Sequence, residues 1–254
     1  MQRSFIYTLL ITCVLLVSSC RTQYVTSSAG YANIPVSDSL YALDKQIVQL
    51  YTPFKNRLEK DMLRVISYSE NEMEKDKPES PLTNFLADLL LEEGLKEVQN
   101  SGLNWAPSVS YFNYGGIRTF LPRGEITVGK IFELMPFENE MVFVQINGSQ
   151  MQEFLDKIAA KGGDSIGGAR FVISGNKAVN ITIGGKPLDT DGTYWLVTND
   201  YIAAGGDEME VFTQNKALLN TGKRIRDIII AHLEELQKNG EVLNCKTDGR
   251  IANG

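Results

Sequence analysis

Apolar side chains recur at two spacings along this chain of 254 residues, one helical and one strand-like, and the switches between them outline the fold. Leu43, Ile47, Val48, Tyr51 and Phe54 stand at helical spacing, with Pro53 expected to kink or break the helix. Residues 64–69 read as a strand and 71–79 as a charged loop. Ser80 and Pro81 then open a helix as N-cap and first helical residue. Leu82, Phe85, Leu86, Leu89 and Leu90 give it a wide apolar face, and it runs to about Gln99. Residues 109–112 form a short strand that delivers the Gly115-Gly116 turn. Thr127 caps a brief helix over 128–134, which must end at Met135-Pro136-Phe137. Residues 141–146 alternate as a strand, Asn147-Gly148 reads as a turn, and Ser149 to Gln152 reads as a capping box for a helix to about Ala160. Residues 169–174 and 179–183 pair as a hairpin around Gly175-Asn176, 194–198 form another strand, and 224–238 form the last long helix. Helices and strands mingle without a strict β-α-β rhythm. The expected class is therefore α+β (mixed α/β), a mixed sheet with flanking helices.

The N-terminus has its own pattern. Gln2-Arg3 precede an apolar run from Phe5 to Val17, shorter than the roughly 20 residues of a spanning helix, and Val17-Ser18-Ser19-Cys20 follows. Small residues before a cysteine resemble the bacterial lipoprotein box, so residues 1–19 are expected to be a signal peptide and Cys20 the lipidated residue. Residues 20–43, rich in Ser, Thr, Gly and Ala, are expected to be a tether, leaving 44–254 as one domain. Of three cysteines, Cys245 is left without an intramolecular partner, so no disulfide framework is expected. The implied location is the bacterial cell envelope, lipid-anchored, on its periplasmic or extracellular face.

Two segments carry the candidate chemistry. Asn113-Tyr114-Gly115-Gly116-Ile117-Arg118 and Asn199-Asp200-Tyr201-Ile202-Ala203-Ala204-Gly205-Gly206-Asp207 each follow a strand and combine a glycine pair with a charged side chain. The Arg118 guanidinium offers a rigid fork matching phosphate oxygens, and the N–H groups of the Gly115-Gly116 turn could add a nest around the same anion. The alternative is an arginine paired with one of 31 acidic residues. Phe137 and Tyr201 are suited to clamp a flat base, worth roughly 1–3 kcal/mol of stacking per base; the alternative is that both fill core. Asn113 and Asp207 suit base or ribose hydroxyl groups, although Asp207 alone reads more simply as the cap of a helix starting near Glu208.

Other chemistries find little support. The single histidine, His232, lies on the apolar side of the last helix and reads as structural, and no His/Asp/Cys set has metal-ligand spacing. No G-x-S-x-G elbow supports a serine hydrolase. A net charge of −6 argues against nucleic-acid polymers, whose binding rests on basic patches, whereas one phosphate needs only one or two cations.

Five segments stand in order: Glu79 to Asp88, Asn113 to Arg118, Leu134-Met135-Pro136-Phe137, Asn199 to Asp207, and Asp248-Gly249-Arg250-Ile251. Together they resemble the C-terminal, substrate-specificity domain of the 5′-nucleotidase and UDP-sugar hydrolase family. The resemblance implies that Arg118 binds the substrate phosphate, that Phe137 and Tyr201 sandwich the base, and that Asn113 and Asp207 contact nucleoside groups. Tyr114 stands where the family has a glycine and is expected to narrow the phosphate approach. Lys75 and Lys77 stand where an arginine is usual, which is expected to weaken phosphate affinity. Fully active members of the family carry an N-terminal metallophosphatase domain with two metal ions. Here only the expected signal and tether precede the specificity domain, so no cofactor is expected in this chain and divalent metals are expected in a partner. The implied function is nucleotide or nucleotide-sugar recognition alongside a separately encoded metallophosphatase. A stand-alone nucleotide-binding lipoprotein without a catalytic role is the alternative.

Overall fold

The structure, a computed structural model, describes Gly30, Ala32, Asn33 and residues 44–254. The expected signal peptide, the expected lipidation site Cys20, most of the expected tether and Leu43 lie outside the described residues. The chain divides into two units, Met1–Leu50 and Tyr51–Gly254. Of the first, the described residues include the start of helix α1 (Lys45–Met62). Pro53 lies inside this helix, so of the kink or break expected from sequence the break does not occur. Its missing N–H frees the carbonyl of Gln49, and both residues are exposed, so water can take that place.

The second unit is built on a five-stranded sheet in the order β10-β4-β9-β2-β5, comprising β2 (Val109–Phe112), β4 (Glu140–Asn147), β5 (Ser165–Gly167), β9 (Thr193–Asn199) and β10 (Ala217–Arg224). All its pairings are antiparallel except β2 with β9. Both faces are covered, and strand alternation sorts the side chains. Met141 and Phe143 of β4, Phe112 of β2 and Val197 of β9 enter one core, with α2 (Pro81–Asn100) and α6 (Ile225–Lys238). Val142, Val144 and Ile146, with Tyr111 and Leu196, enter the other, against α4 (Gly148–Ala160). Each fully buried aliphatic or aromatic side chain contributes roughly 1.5–3 kcal/mol. A two-stranded sheet, β1 (Val65–Ser69) with β3 (Gly124–Thr127), and a four-stranded one, β11 (Ile251–Asn253), β6 (Ala169–Ser174), β7 (Lys177–Ile183) and β8 (Lys186–Pro187), complete the layers. The α+β class expected from sequence is the class observed.

Local signals account for most boundaries. The Ser80 hydroxyl accepts from the Thr83 N–H at 3.1 Å while Thr83 Oγ1 accepts from the Ser80 N–H at 2.8 Å, and Pro81 occupies the first turn. Gly94 lets α2 approach the sheet, since a Cβ there would lie 3.2 Å from Val197 and 3.3 Å from Phe143. Thr127 caps α3 (Val128–Leu134) as expected. The α4 cap is Asn147 and not Ser149: its side chain accepts from the Gln150 N–H at 2.8 Å, so the apparent turn is the first turn of the helix. Cys245 is a partly buried free thiol. Among the described residues no helix is long and apolar enough to cross a membrane.

Candidate functional site

Because β2 and β9 run parallel and adjacent, with Ser110 opposite Val197, their carboxyl ends open side by side. Crevices outside the carboxyl ends of parallel strands are common ligand sites. The turns that leave this edge bring together what the sequence separates. Asn199 Nδ2 donates to Asn113 Oδ1 at 3.1 Å, Asn113 Nδ2 to Asp207 Oδ2 at 2.7 Å, and the Tyr201 hydroxyl to Asp207 Oδ1 at 2.9 Å. Asn199 Oδ1 in turn accepts from the Ile202 N–H at 2.8 Å and so caps the short helix α5 (Asp200–Ala203).

This chain of bonds floors a cavity of about 460 Å³ lined by Asn113, Gly115, Gly116, Arg118, Phe137, Tyr201 and Asp207, all seven site residues named from the sequence. Phe112, Met135, Asn139, Asn199 and Ile225 complete its wall. Phe137 and Tyr201 are 43% and 47% exposed, which rules out the alternative that they fill core. Tyr201 lies against Gly206, where a Cβ would come within 2.5 Å of the ring. Hydrogen bonding to the Asp207 carboxylate holds the Tyr201 phenol above its usual pKa.

Asp207 does not cap a helix. Its backbone is left-handed, at φ 52 and ψ 38, inside a short 3-10 turn (Gly206–Glu208), and both carboxylate oxygens are turned to Asn113 and Tyr201. Lys161 donates to the Asp207 carbonyl and holds that backbone in place. The anion nest is corrected in part. Gly116, Ile117 and Arg118 donate their N–H groups to Asn113, Tyr114 and Leu134 carbonyls, and the Tyr114 N–H meets Asp164. Of the turn's donors, the Gly115 N–H is left to face an anion. What glycine supplies there is room: a Cβ on Gly116 would lie 2.9 Å from Asn113 Oδ1, and one on Gly115 would lie 3.4 Å from Asp207 Oδ2.

The cation side is therefore carried by side chains. The exposed Arg118 spends one N–H on the Gly115 carbonyl at 3.2 Å, and among the described residues no carboxylate pairs with it. Lys75 donates to the Tyr114 and Ile117 carbonyls at 3.1 and 2.6 Å, clamping the turn. Burial, then the nearby Arg118 charge, lower the Lys75 pKa. Tyr114 does not narrow the cavity: its ring lies beneath the Lys75 and Lys77 ammonium groups, at 4.2 and 5.1 Å. Arg226 was not anticipated. Buried in α6, its guanidinium donates to the Met135 and Phe137 carbonyls at 3.4 and 3.5 Å and pairs with Glu138, fixing the segment that presents Phe137. Its distance along the chain hid this role.

The lining does not fit a two-metal centre, since Asp207 is its one carboxylate and it contains no histidine or cysteine. Elsewhere, Glu92, Glu93 and His232 converge across α2 and α6 despite their separation in sequence. The Lys96 ammonium already lies 2.9 Å from each of the two glutamates, and His232 Nδ1 lies 2.9 Å from Glu93. That hydrogen bond to His232 is the main cause of a lowered Glu93 pKa. The structural reading of His232 agrees with this geometry.

A mixed sheet whose parallel strands β2 and β9 end at an aromatic-rimmed crevice defines an α+β domain. The profile of the family "5′-nucleotidase, C-terminal domain" matches residues 62–214. The chain belongs to this family. It is 28% identical over 221 residues to the trifunctional nucleotide phosphoesterase protein YfkN of Bacillus subtilis, covering 78% of this chain and 14% of that protein. It is 26% identical to a 5′-nucleotidase of Vibrio cholerae, over 75% of this chain and 34% of the relative. It is 28% identical to protein UshA of Yersinia enterocolitica, over 76% and 35%. A 5′-nucleotidase precursor structure from Thermus thermophilus shares the fold, with a TM-score of 0.66 at 24% identity, over 81% of this chain and 42% of that one. The chain thus spans about a third or less of the length of these curated relatives.

Proposed function

We propose that this chain recognises nucleotides for a 5′-nucleotidase-type phosphohydrolase and acts with a separate metallophosphatase chain that supplies the divalent metals. The observation that carries the reading is the single cavity in which Arg118, Phe137 and Tyr201 share a wall with the Asn113–Asp207 pair. Arg118 takes the phosphate, because its guanidinium is the cation that lines the cavity and it keeps unspent donors. Phe137 and Tyr201 offer ring faces to the base. Asn113 and Asp207 keep lone pairs and one amide hydrogen for nucleoside hydroxyl or base groups, while their mutual bond sets the position of both. The one carboxylate of the lining, Asp207, already accepts from Asn113 and Tyr201 through its two oxygens, which supports placing bond cleavage on the partner. In this reading Cys20 carries a lipid that holds the chain at the bacterial cell envelope.

The test is a phosphate-release assay on nucleoside 5′-monophosphates and a nucleotide-sugar, with the chain, a metallophosphatase encoded in the same genome, and a divalent metal. Hydrolysis is expected only with all components, and Arg118→Ala should reduce it to background. Undiminished hydrolysis by the chain alone in a chelator would contradict the division of labour.

A further inference from the structure

Helix α1 buries none of its residues, although much of its sequence is apolar. Tyr51, Phe54 and Leu58 are 43, 73 and 58% exposed, and Ile47 and Leu50, also exposed, continue the same spacing along the helix. At 3.6 residues per turn these side chains form one stripe. Lys55 and Arg57 fall on its two flanks, and Lys45 and Lys60 on the opposite side. Against them stand Glu59, 3.6 Å from Lys55, and Asp61, which falls at the end of the stripe, so the helix carries four cations and two acids in a chain whose net charge is −6. The element that exposes the apolar stripe thus carries a surplus of cations.

We propose that α1 lies in the plane of an anionic phospholipid surface, with Phe54, Leu58 and their neighbours among the acyl chains and Lys55 and Arg57 at the headgroups. A helix with an apolar face, basic flanks and too little overall hydrophobicity to span is the pattern that lies at a bilayer interface. Lysine and arginine stems can cover the edge of the stripe while their charges stay at the phosphates. A single acyl chain gives marginal, reversible membrane attachment, so a second contact of this kind makes attachment durable. The lipid-tether reading serves here only to place α1 near a bilayer. The nucleotide site plays no part in it.

The test uses the full chain carrying Cys20→Ser, so that no acyl group is attached, together with Phe54→Trp as a reporter. Trp105 and Trp195 stack on each other at 3.9 Å and are partly buried, so they give a constant background. On vesicles of phosphatidylglycerol and phosphatidylethanolamine, the reporter should shift to the blue and be quenched by brominated acyl chains. The quenching should fall by about tenfold in Lys55→Glu/Arg57→Glu, in 0.5 M salt and on pure phosphatidylcholine. Phe54→Asp/Leu58→Asp should lose vesicle binding through α1 yet keep the nucleotide affinity of the parent, which separates this proposal from the functional one. An unquenched reporter on a chain that still sediments with vesicles overturns the proposal. A blue shift without vesicles that grows with protein concentration, or on adding the metallophosphatase, also overturns it and assigns the stripe to a protein contact.

Discussion

Gly206→Ala probes whether the Tyr201 ring is a working part of the site. The added Cβ would lie 2.5 Å from Tyr201 Cε1 and Cζ and 2.7 Å from Cδ1, against an ordinary carbon contact of about 3.5–4.0 Å. The ring must retreat by about 1 Å, which stretches the 2.9 Å bond from its hydroxyl to Asp207 and tilts the face offered to a base. Stacking on such a face is worth roughly 1–3 kcal/mol. The dissociation constant for a nucleoside 5′-monophosphate should therefore rise about 5- to 150-fold by titration calorimetry. Gly205→Ala is the control. Its φ of +93 makes the substitution strained, costing about 1–3 kcal/mol of stability, but its Cβ would meet Thr213 at 3.1 Å and not the ring. Melting temperature should fall in Gly205→Ala with affinity kept in the folded protein, while Gly206→Ala should mainly lose affinity. Parent affinity in Gly206→Ala, with its ring shown to have moved, would refute the assignment of Tyr201 to the base.

Three further outcomes follow from particular contacts. Burial pushes the Asp164 carboxyl from 3.8 up to about 6. Between those pH values the folded state keeps a proton that the unfolded state has released. Stability therefore falls as pH rises through this window, by about 3 kcal/mol in total. Asp164→Asn, which can still accept from the Tyr111 hydroxyl, should flatten the thermal-melting profile there; an unchanged slope would show that Asp164 titrates normally. Arg250, buried beside the equally buried Glu79 at 3.9 Å and paired with the more exposed Asp88 and Asp248, should cost about 3–5 kcal/mol when replaced by methionine, because the Glu79 charge loses its partner. The exposed Arg118→Met should change stability by no more than about 0.5 kcal/mol in the same denaturant titration while losing nucleotide affinity. Asn113→Ala strands the Asn199 amide, buried at 3% exposure, and should destabilise by about 1–3 kcal/mol, read as a lower melting temperature.

Local chemistry made much of this fold legible. Ser80-Pro81 and Thr127 announced their helices because a cap is a short-range hydrogen bond, and β4 and β9 alternate because they face two cores. The missed strands carry no such mark. β10 is an edge strand with mostly exposed side chains, and β5 is three buried residues. The seven site residues could be named because each lies in an ordered motif. Their interactions could not, since the Asn113–Asp207 bond joins residues 94 apart in sequence. Asp207 looked like a cap because a one-dimensional reading sees only its neighbours. Arg226 left no trace at all, being one more residue of an amphipathic helix until the chain folds back onto Phe137. Similarly, Lys75 is visible as a nearby cation, but its grip on the Tyr114 and Ile117 carbonyls depends on the turn's exact path.

The most direct measurement is calorimetric titration of the full chain and of Arg118→Ala with a nucleoside 5′-monophosphate and with the corresponding nucleoside. The parent should prefer the nucleotide by tenfold or more, about 1.4 kcal/mol. Arg118→Ala should bind the two ligands alike, keeping only what Phe137 and Tyr201 contribute. If the variant preserves the preference for phosphate, or if the parent binds neither ligand, the cavity at the ends of β2 and β9 is not a nucleotide site.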